Sequence, residues 1–156
     1  MVQTTVAACL SWPGVLAWRL RRQYLVHRAT RGEALGVVRQ ICGLHAQVMS
    51  SAELTLWARV EDLELAAIQE ALWKERSLVK TWAMRGTLHV LPASELPTWV
   101  GAQGVLKPRH HAPSWLRYFG LTREEAEALF EAIPEALADR MLTREELAQE
   151  VGRLVG

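Results

Sequence analysis

The segment Leu78-Val79-Lys80-Thr81-Trp82-Ala83-Met84-Arg85-Gly86-Thr87-Leu88-His89-Val90-Leu91 differs in kind from the chain before it. On either side of Arg85-Gly86 it is rich in residues that favour strands, whereas the upstream apolar residues recur at helical spacing. Two extended runs meeting at a glycine-containing turn predict a hairpin. Gly86 supplies the positive φ that a tight turn demands, and Arg85 falls at the tip.

Upstream, Leu16, Leu20 and Tyr24 mark a first amphipathic helix after Ser11-Trp12-Pro13. A second runs through Ala34, Val37, Val38 and Ile41 and ends near Gly43. A third carries Leu54, Trp57, Ala58 and Val60 and is entered through Ser50-Ser51; a fourth carries Leu65, Ile68, Ala71 and Leu72. Helices followed by a hairpin is the order of a winged helix, in which a helix enters a nucleic-acid groove and the hairpin lies along the backbone. The expected class is mainly α (α+β), a winged helix-turn-helix with a two-stranded wing.

Downstream, Pro92 stops the strand, Ser94-x-x-Pro97 opens a short helix, and Gly101 to Pro113 reads as an irregular connector. Thr122-Arg123-Glu124-Glu125 and Thr143-Arg144-Glu145-Glu146 each fit a capping box, so helices start at both. The expected domains are residues 1–100, a connector over 101–120, and linker helices with the start of a second winged helix over 121–156. The last helix reaches Gly156 before any recognition helix or wing, the pattern of a truncated chain.

Half of the 156 residues are hydrophobic and 22% are charged, which excludes fibrous and long disordered classes. Arg19, Arg21 and Arg22 interrupt the most apolar region near the N-terminus, so no membrane span is expected. Val6-Ala7-Ala8-Cys9 lacks the basic and apolar regions that precede a lipoprotein cleavage site. Cys9 and Cys42 are too few for a disulfide framework and lack metal-binding spacing. The expectation is a cytoplasmic protein with reduced thiols, no metal and no cofactor; oligomeric state is left open. The net charge of +1 hides a gradient: seven Lys/Arg against two Asp/Glu over residues 1–60, and four against nine over 120–156. A basic N-terminal half suits contact with a polyanion, although two solvated faces would give the same counts.

Three segments together carry a family resemblance. Gly43-Leu44-His45-Ala46-Gln47, Leu56-Trp57-Ala58-Arg59 and Thr81-Trp82-Ala83-Met84-Arg85-Gly86-Thr87-Leu88-His89 are similar, in this order, to the winged-helix DNA glycosylases of the AlkZ and YcaQ type. The two capping-box segments resemble the part joining that family's first winged helix to its second. The resemblance covers nearly the whole chain but only the N-terminal part of a family member. It implies duplex DNA as partner, a role in repair of DNA damage, and a catalytic motif of glutamine or histidine, an apolar residue, then glutamine or aspartate. Here those positions are His45, Ala46 and Gln47, the histidine-first form.

Side chains two apart diverge on a helix but share a side when extended, so His45 and Gln47 can cooperate only if the chain leaves helical geometry near Gly43. The implied hydrolase chemistry is cleavage of an N-glycosidic bond whose N7-alkylated purine is already cationic and leaves without a proton. The Gln47 amide oxygen can face the developing oxocarbenium, and His45 can orient or deprotonate water. Both are expected on an exposed, concave, basic surface with Arg85 on the same side. Without the resemblance, the same pair reads as loop residues hydrogen-bonded to backbone.

For DNA binding the candidates are Arg85, Gly86, Thr87 and His89 on the wing, Arg59, and an arginine patch of Arg19 and Arg22 with Arg28 and Arg31. His110-His111 beside Lys107 and Arg109 could also line DNA. Trp18, Trp57, Trp73 and Trp82 occupy apolar positions and are expected in the core rather than as stacking platforms. Two readings remain beside the enzyme: a non-catalytic winged-helix DNA-binding or regulatory module, and a fragment acting through protein contacts.

Overall fold

The structure is a computed structural model that describes residues 10–64, 66–105 and 112–156. Residues 1–9 including Cys9, Leu65, and residues 106–111 with Lys107, Arg109, His110 and His111 lie outside the described residues. The chain divides into two compact units, residues 1–105 and 106–156.

The first unit contains α1 (Trp12–Arg22), α2 (Ala34–Gln40), β1 (Leu44–His45), α3 (Met49–Trp57), α4 (Ala67–Trp73), β2 (Leu78–Trp82), β3 (Leu88–Pro92) and α5 (Leu96–Gly104). The expected hairpin is present, with β2 and β3 antiparallel and Thr81 opposite His89. The sheet, however, has three strands in the order β1-β3-β2. From α2 onward the order helix, β1, helix, helix, β2, β3 is that of a winged helix. Sequence periodicity could not show β1, because two residues are too few to display an alternation.

The core lies between one face of the sheet and helices α2 to α4: Val37, Val38, Leu44, Ala46, Ala52, Leu56, Ile68, Leu78 and Val90 are all buried in one cluster. Full burial of a leucine such as Leu44 contributes about 1.5–3 kcal/mol. The third helix differs from expectation at its start. Met49 begins it after an extended Val48, so Ser50 and Ser51 are inside its first turn rather than before it. Helix α1 forms where expected and is capped by the Ser11 hydroxyl, which accepts from Gly14 N at 3.2 Å, yet none of its residues is buried.

The supposed connector is partly regular. Leu96–Gly104 is helical through Gly101, and the second unit opens on α6 (Pro113–Phe119), which ends at Gly120 with φ 68°. Proline in the first turn of each helix is compatible with helical φ, so neither residue marks a break. Helices α7 (Arg123–Leu137) and α8 (Arg144–Val155) follow, packed through Ala132, Ala136 and Val151. Both expected capping boxes are made: Thr122 Oγ1 accepts from Glu125 N and Thr143 Oγ1 from Glu146 N, while each glutamate accepts from the threonine amide at 2.7 Å. Among the described residues no helix is long and apolar enough to cross a membrane.

Candidate active site

Helix α2 ends in a Schellman motif. Gly43 N donates to Val38 O at 2.8 Å and Cys42 N to Arg39 O at 3.1 Å, with Cys42 in the left-handed region at φ 62°. Gly43 itself has φ 91°, and a Cβ there would lie 2.5 Å from Leu91 Cδ2 and 3.1 Å from Val90 O. Glycine is therefore required twice, for its φ and for its approach to β3. That approach delivers the next residues to the sheet. Leu44 pairs with Val90, His45 with His89, and Ala46 N donates to Leu88 O at 2.8 Å.

The consequence is a period of two. Leu44 and Ala46 are buried in the core, while His45 and Gln47 are exposed on the opposite side. The alternation in burial runs from β1 to the bend at Gln47, just before α3 begins.

The wing tip is tightly turned. Arg85 and Gly86 both have positive φ, 55° and 74°, as the central pair of a type I′ turn closed by Thr87 N on Met84 O at 3.3 Å. Arg85 thus shares with Gly86 a backbone conformation the sequence reading gave to glycine alone. Its side chain is exposed. Thr87 Oγ1 donates to Met84 O at 3.0 Å, and Thr87 O accepts both from Ala83 N at 3.0 Å and from His89 Nδ1 at 2.9 Å.

His89 is only 5% exposed. It was expected at a DNA surface; its burial between strands withdraws the ring from direct contact with a phosphate. It lies instead against His45, with ring centroids 5.5 Å apart and planes at 80°.

Several other basic residues are engaged within the chain. Arg28 Nη2 donates to Trp57 O at 2.5 Å and to Val60 O, and its guanidinium lies 5.4 Å from the centre of the Trp57 ring. It caps the C-terminal end of α3, a role its sequence neighbours do not reveal. Arg31 pairs with Glu64 at 2.5 Å. Arg59 is half-buried, donates from Nη1 to Thr55 O at 2.8 Å, and burial pushes its guanidinium below the ordinary arginine value. It lies at the far end of α3 from Gln47, about 13 Å along a nine-residue helix.

All four arginines of the expected patch are exposed, but Arg28 and Arg31 are tied to other segments, while Arg19 and Arg22 lie in the last turn of α1, where Arg22 stacks 5.4 Å from the centre of the Trp18 ring. Trp18, Trp57, Trp73 and Trp82 are each at least half exposed, contrary to the expected core positions. Helical or strand spacing put them on apolar stripes, but the buried cluster is built from Val37, Val38, Leu44, Leu56, Ile68 and Val90 instead. A third capping arrangement also went unread: Glu33 Oε2 accepts from Thr30 N and Thr30 Oγ1, at 2.9 and 2.7 Å. The pattern Thr30-x-x-Glu33 was its signal. Among the described residues no three His, Cys, Asp or Glu side chains cluster closely enough to hold a metal ion.

The fold is that of a winged-helix protein, with His45 exposed on its edge strand and Gln47 exposed just beyond it. A family model described as DNA glycosylase AlkZ-like matches residues 38–155, and the chain belongs to that family. The match takes in the motif and the wing and leaves α1 outside. An interstrand DNA cross-link repair glycosylase of Streptomyces sahachiroi is 40% identical over 149 residues, covering 93% of this chain and 38% of that protein. The solved structure of the Streptomyces sahachiroi DNA glycosylase AlkZ matches with a TM-score of 0.76 and 37% identity, over 91% of this chain and 38% of that one. The chain spans about 38% of the length of both relatives.

Proposed function

We propose that this chain carries the catalytic strand of a DNA glycosylase that hydrolyses the N-glycosidic bond of N7-alkylated purines in duplex DNA. The observation that supports this reading is the alternating burial of Leu44 to Gln47, which leaves His45 and Gln47 exposed in a chain of the AlkZ-like family. The cationic purine leaves unaided, so the protein's task is to stabilise the oxocarbenium and place water. The Gln47 amide oxygen presents a dipole to the developing charge, and the neutral His45 ring accepts a hydrogen bond from the attacking water.

An exposed pair on an edge strand also suits a base that cannot leave the stack. A purine tethered to the opposite strand cannot swing into a deep pocket, so its bond must be reached within the duplex. The exposed guanidiniums of Arg85, Arg19 and Arg22 supply phosphate contacts that position the duplex without reading its sequence.

The test is base release from a duplex containing N7-methylguanine, measured on the native protein that carries this chain. Gln47→Ala lowers excision by about 10²-fold while DNA affinity stays within a few-fold. His45→Ala costs less than Gln47→Ala if the ring orients water, and more if it removes a proton. Excision undiminished by both substitutions would remove His45 and Gln47 from the catalytic machinery, and absence of excision in the unsubstituted protein would leave only a DNA-binding module.

A further inference from the structure

We propose that His89, buried and outside the reacting pair, is the positioning residue that fixes the ring of His45. The inference rests on the reading of His45 and Gln47 as the reacting groups, and three observations on separate atoms carry it.

The first is register. His45 and His89 are directly opposed across β1 and β3. Because Ala46 N donates to Leu88 O, the 46–88 pair is the hydrogen-bonded kind, and alternation makes 45–89 the non-hydrogen-bonded kind, in which side chains stand closest. The second is the anchoring of His89. Thr87 O can only accept, so His89 Nδ1 carries the proton across their 2.9 Å contact, and that bond fixes the orientation of the ring. That carbonyl is itself fixed by the Ala83 amide at 3.0 Å, so the ring hangs from the closed base of the wing turn. The third is contact: the imidazoles meet edge to face, 5.5 Å apart at 80°, within the favoured range for ring pairs.

An exposed histidine on a two-residue edge strand would otherwise sample several rotamers. Backed by an immobile ring, His45 keeps its imidazole directed at one place beside Gln47. The geometry also ties the catalytic strand to the wing. A displacement of the Arg85-Gly86 turn moves Thr87 O, hence His89, hence His45, so a wing seated on DNA and a correctly aimed His45 belong to the same arrangement.

Two substitutions separate the ring from the hydrogen bond. His89→Phe keeps a ring against His45 and strands no acceptor, since Thr87 O retains the Ala83 amide; His89→Asn keeps a donor for Thr87 O and removes the ring. On the N7-methylguanine duplex, His89→Asn lowers kcat by about tenfold with KM for DNA unchanged, and His89→Phe stays within about threefold of wild type. Equal or better activity in His89→Asn than in His89→Phe overturns the proposal.

Proton NMR gives a readout independent of catalysis. Wild-type protein shows a nuclear Overhauser contact between the two imidazoles, and the His45 ring resonances move in His89→Asn but hold in His89→Phe. Absence of the wild-type contact overturns the proposal even if neither variant folds. Wild-type protein that shows the contact but releases no base overturns the glycosylase reading, and with it the catalytic purpose of the contact.

Discussion

The two units hold their elements in place by opposite means. In α7 and α8, each helix begins where a threonine and a glutamate three residues apart satisfy each other's backbone amides, and the pair closes over alanines and a valine from the same two helices. In the first unit the decisive contacts span long stretches of chain: Gly43 against Leu91, His45 against His89, Arg28 against Trp57 and Val60. Local chemistry builds the second unit. Return of the chain upon itself builds the first, and the candidate site lies where β1 returns to β3.

Gly43→Ala is the sharpest way to break this contrast. Left-handed φ and an atom placed 2.5 Å from Leu91 Cδ2 together destabilise the first unit by about 3 kcal/mol, and β1 moves off the sheet. Urea unfolding with a tertiary probe such as Trp57 measures the loss, and excision should fall with it. A change below about 0.5 kcal/mol would show that the close approach is not required.

Thr143→Ala tests the other side. Loss of the cap hydroxyl costs about 1 kcal/mol, confined to α8 and visible as faster amide exchange in its first turn, with no effect on exchange in the sheet. Faster exchange in both units would show that they unfold as one.

Arg85→Gly combines a gain and a loss. Glycine relieves a left-handed strain of about 1–2 kcal/mol at Arg85 but frees the unfolded chain, so stability rises by at most about 1 kcal/mol, while the slope of log affinity against log salt flattens by about one unit if Arg85 neutralises one phosphate. An unchanged slope takes Arg85 out of the DNA interface.

The smallest effect is acid sensitivity at Glu150. Hydrogen bonds from Arg153 and Arg140 hold its carboxyl at about 2, below the ordinary carboxylate value. A depressed folded value means that the stabilisation is complete above the unfolded carboxylate value, about 4.3, and drains away as pH falls from there toward about 2. Unfolding of wild type and Glu150→Gln, followed across that window, should converge at its acid end; parallel curves would show that the ion pairs add nothing.

What could be read in the sequence follows the same division. The capping boxes, the hairpin at Arg85-Gly86 and the helix ending near Gly43 were legible because each is written in residues within a few positions of one another. The family resemblance pointed to His45 and Gln47, and the requirement that they share a side followed from backbone geometry alone. Strand β1 was not legible, since two residues carry no period. Nor was the burial of His89, which depends on a partner strand more than forty residues earlier. Apolar spacing assigned the tryptophans to the core, but whether a stripe is covered depends on what packs over it. Sequence by itself determined the element types, the caps and turns, and the charge gradient, because these depend on interactions among near neighbours. Only the tertiary structure decided which arginines face solvent, which histidine is exposed and which is its support, because those outcomes depend on strand register and on close approaches between distant segments.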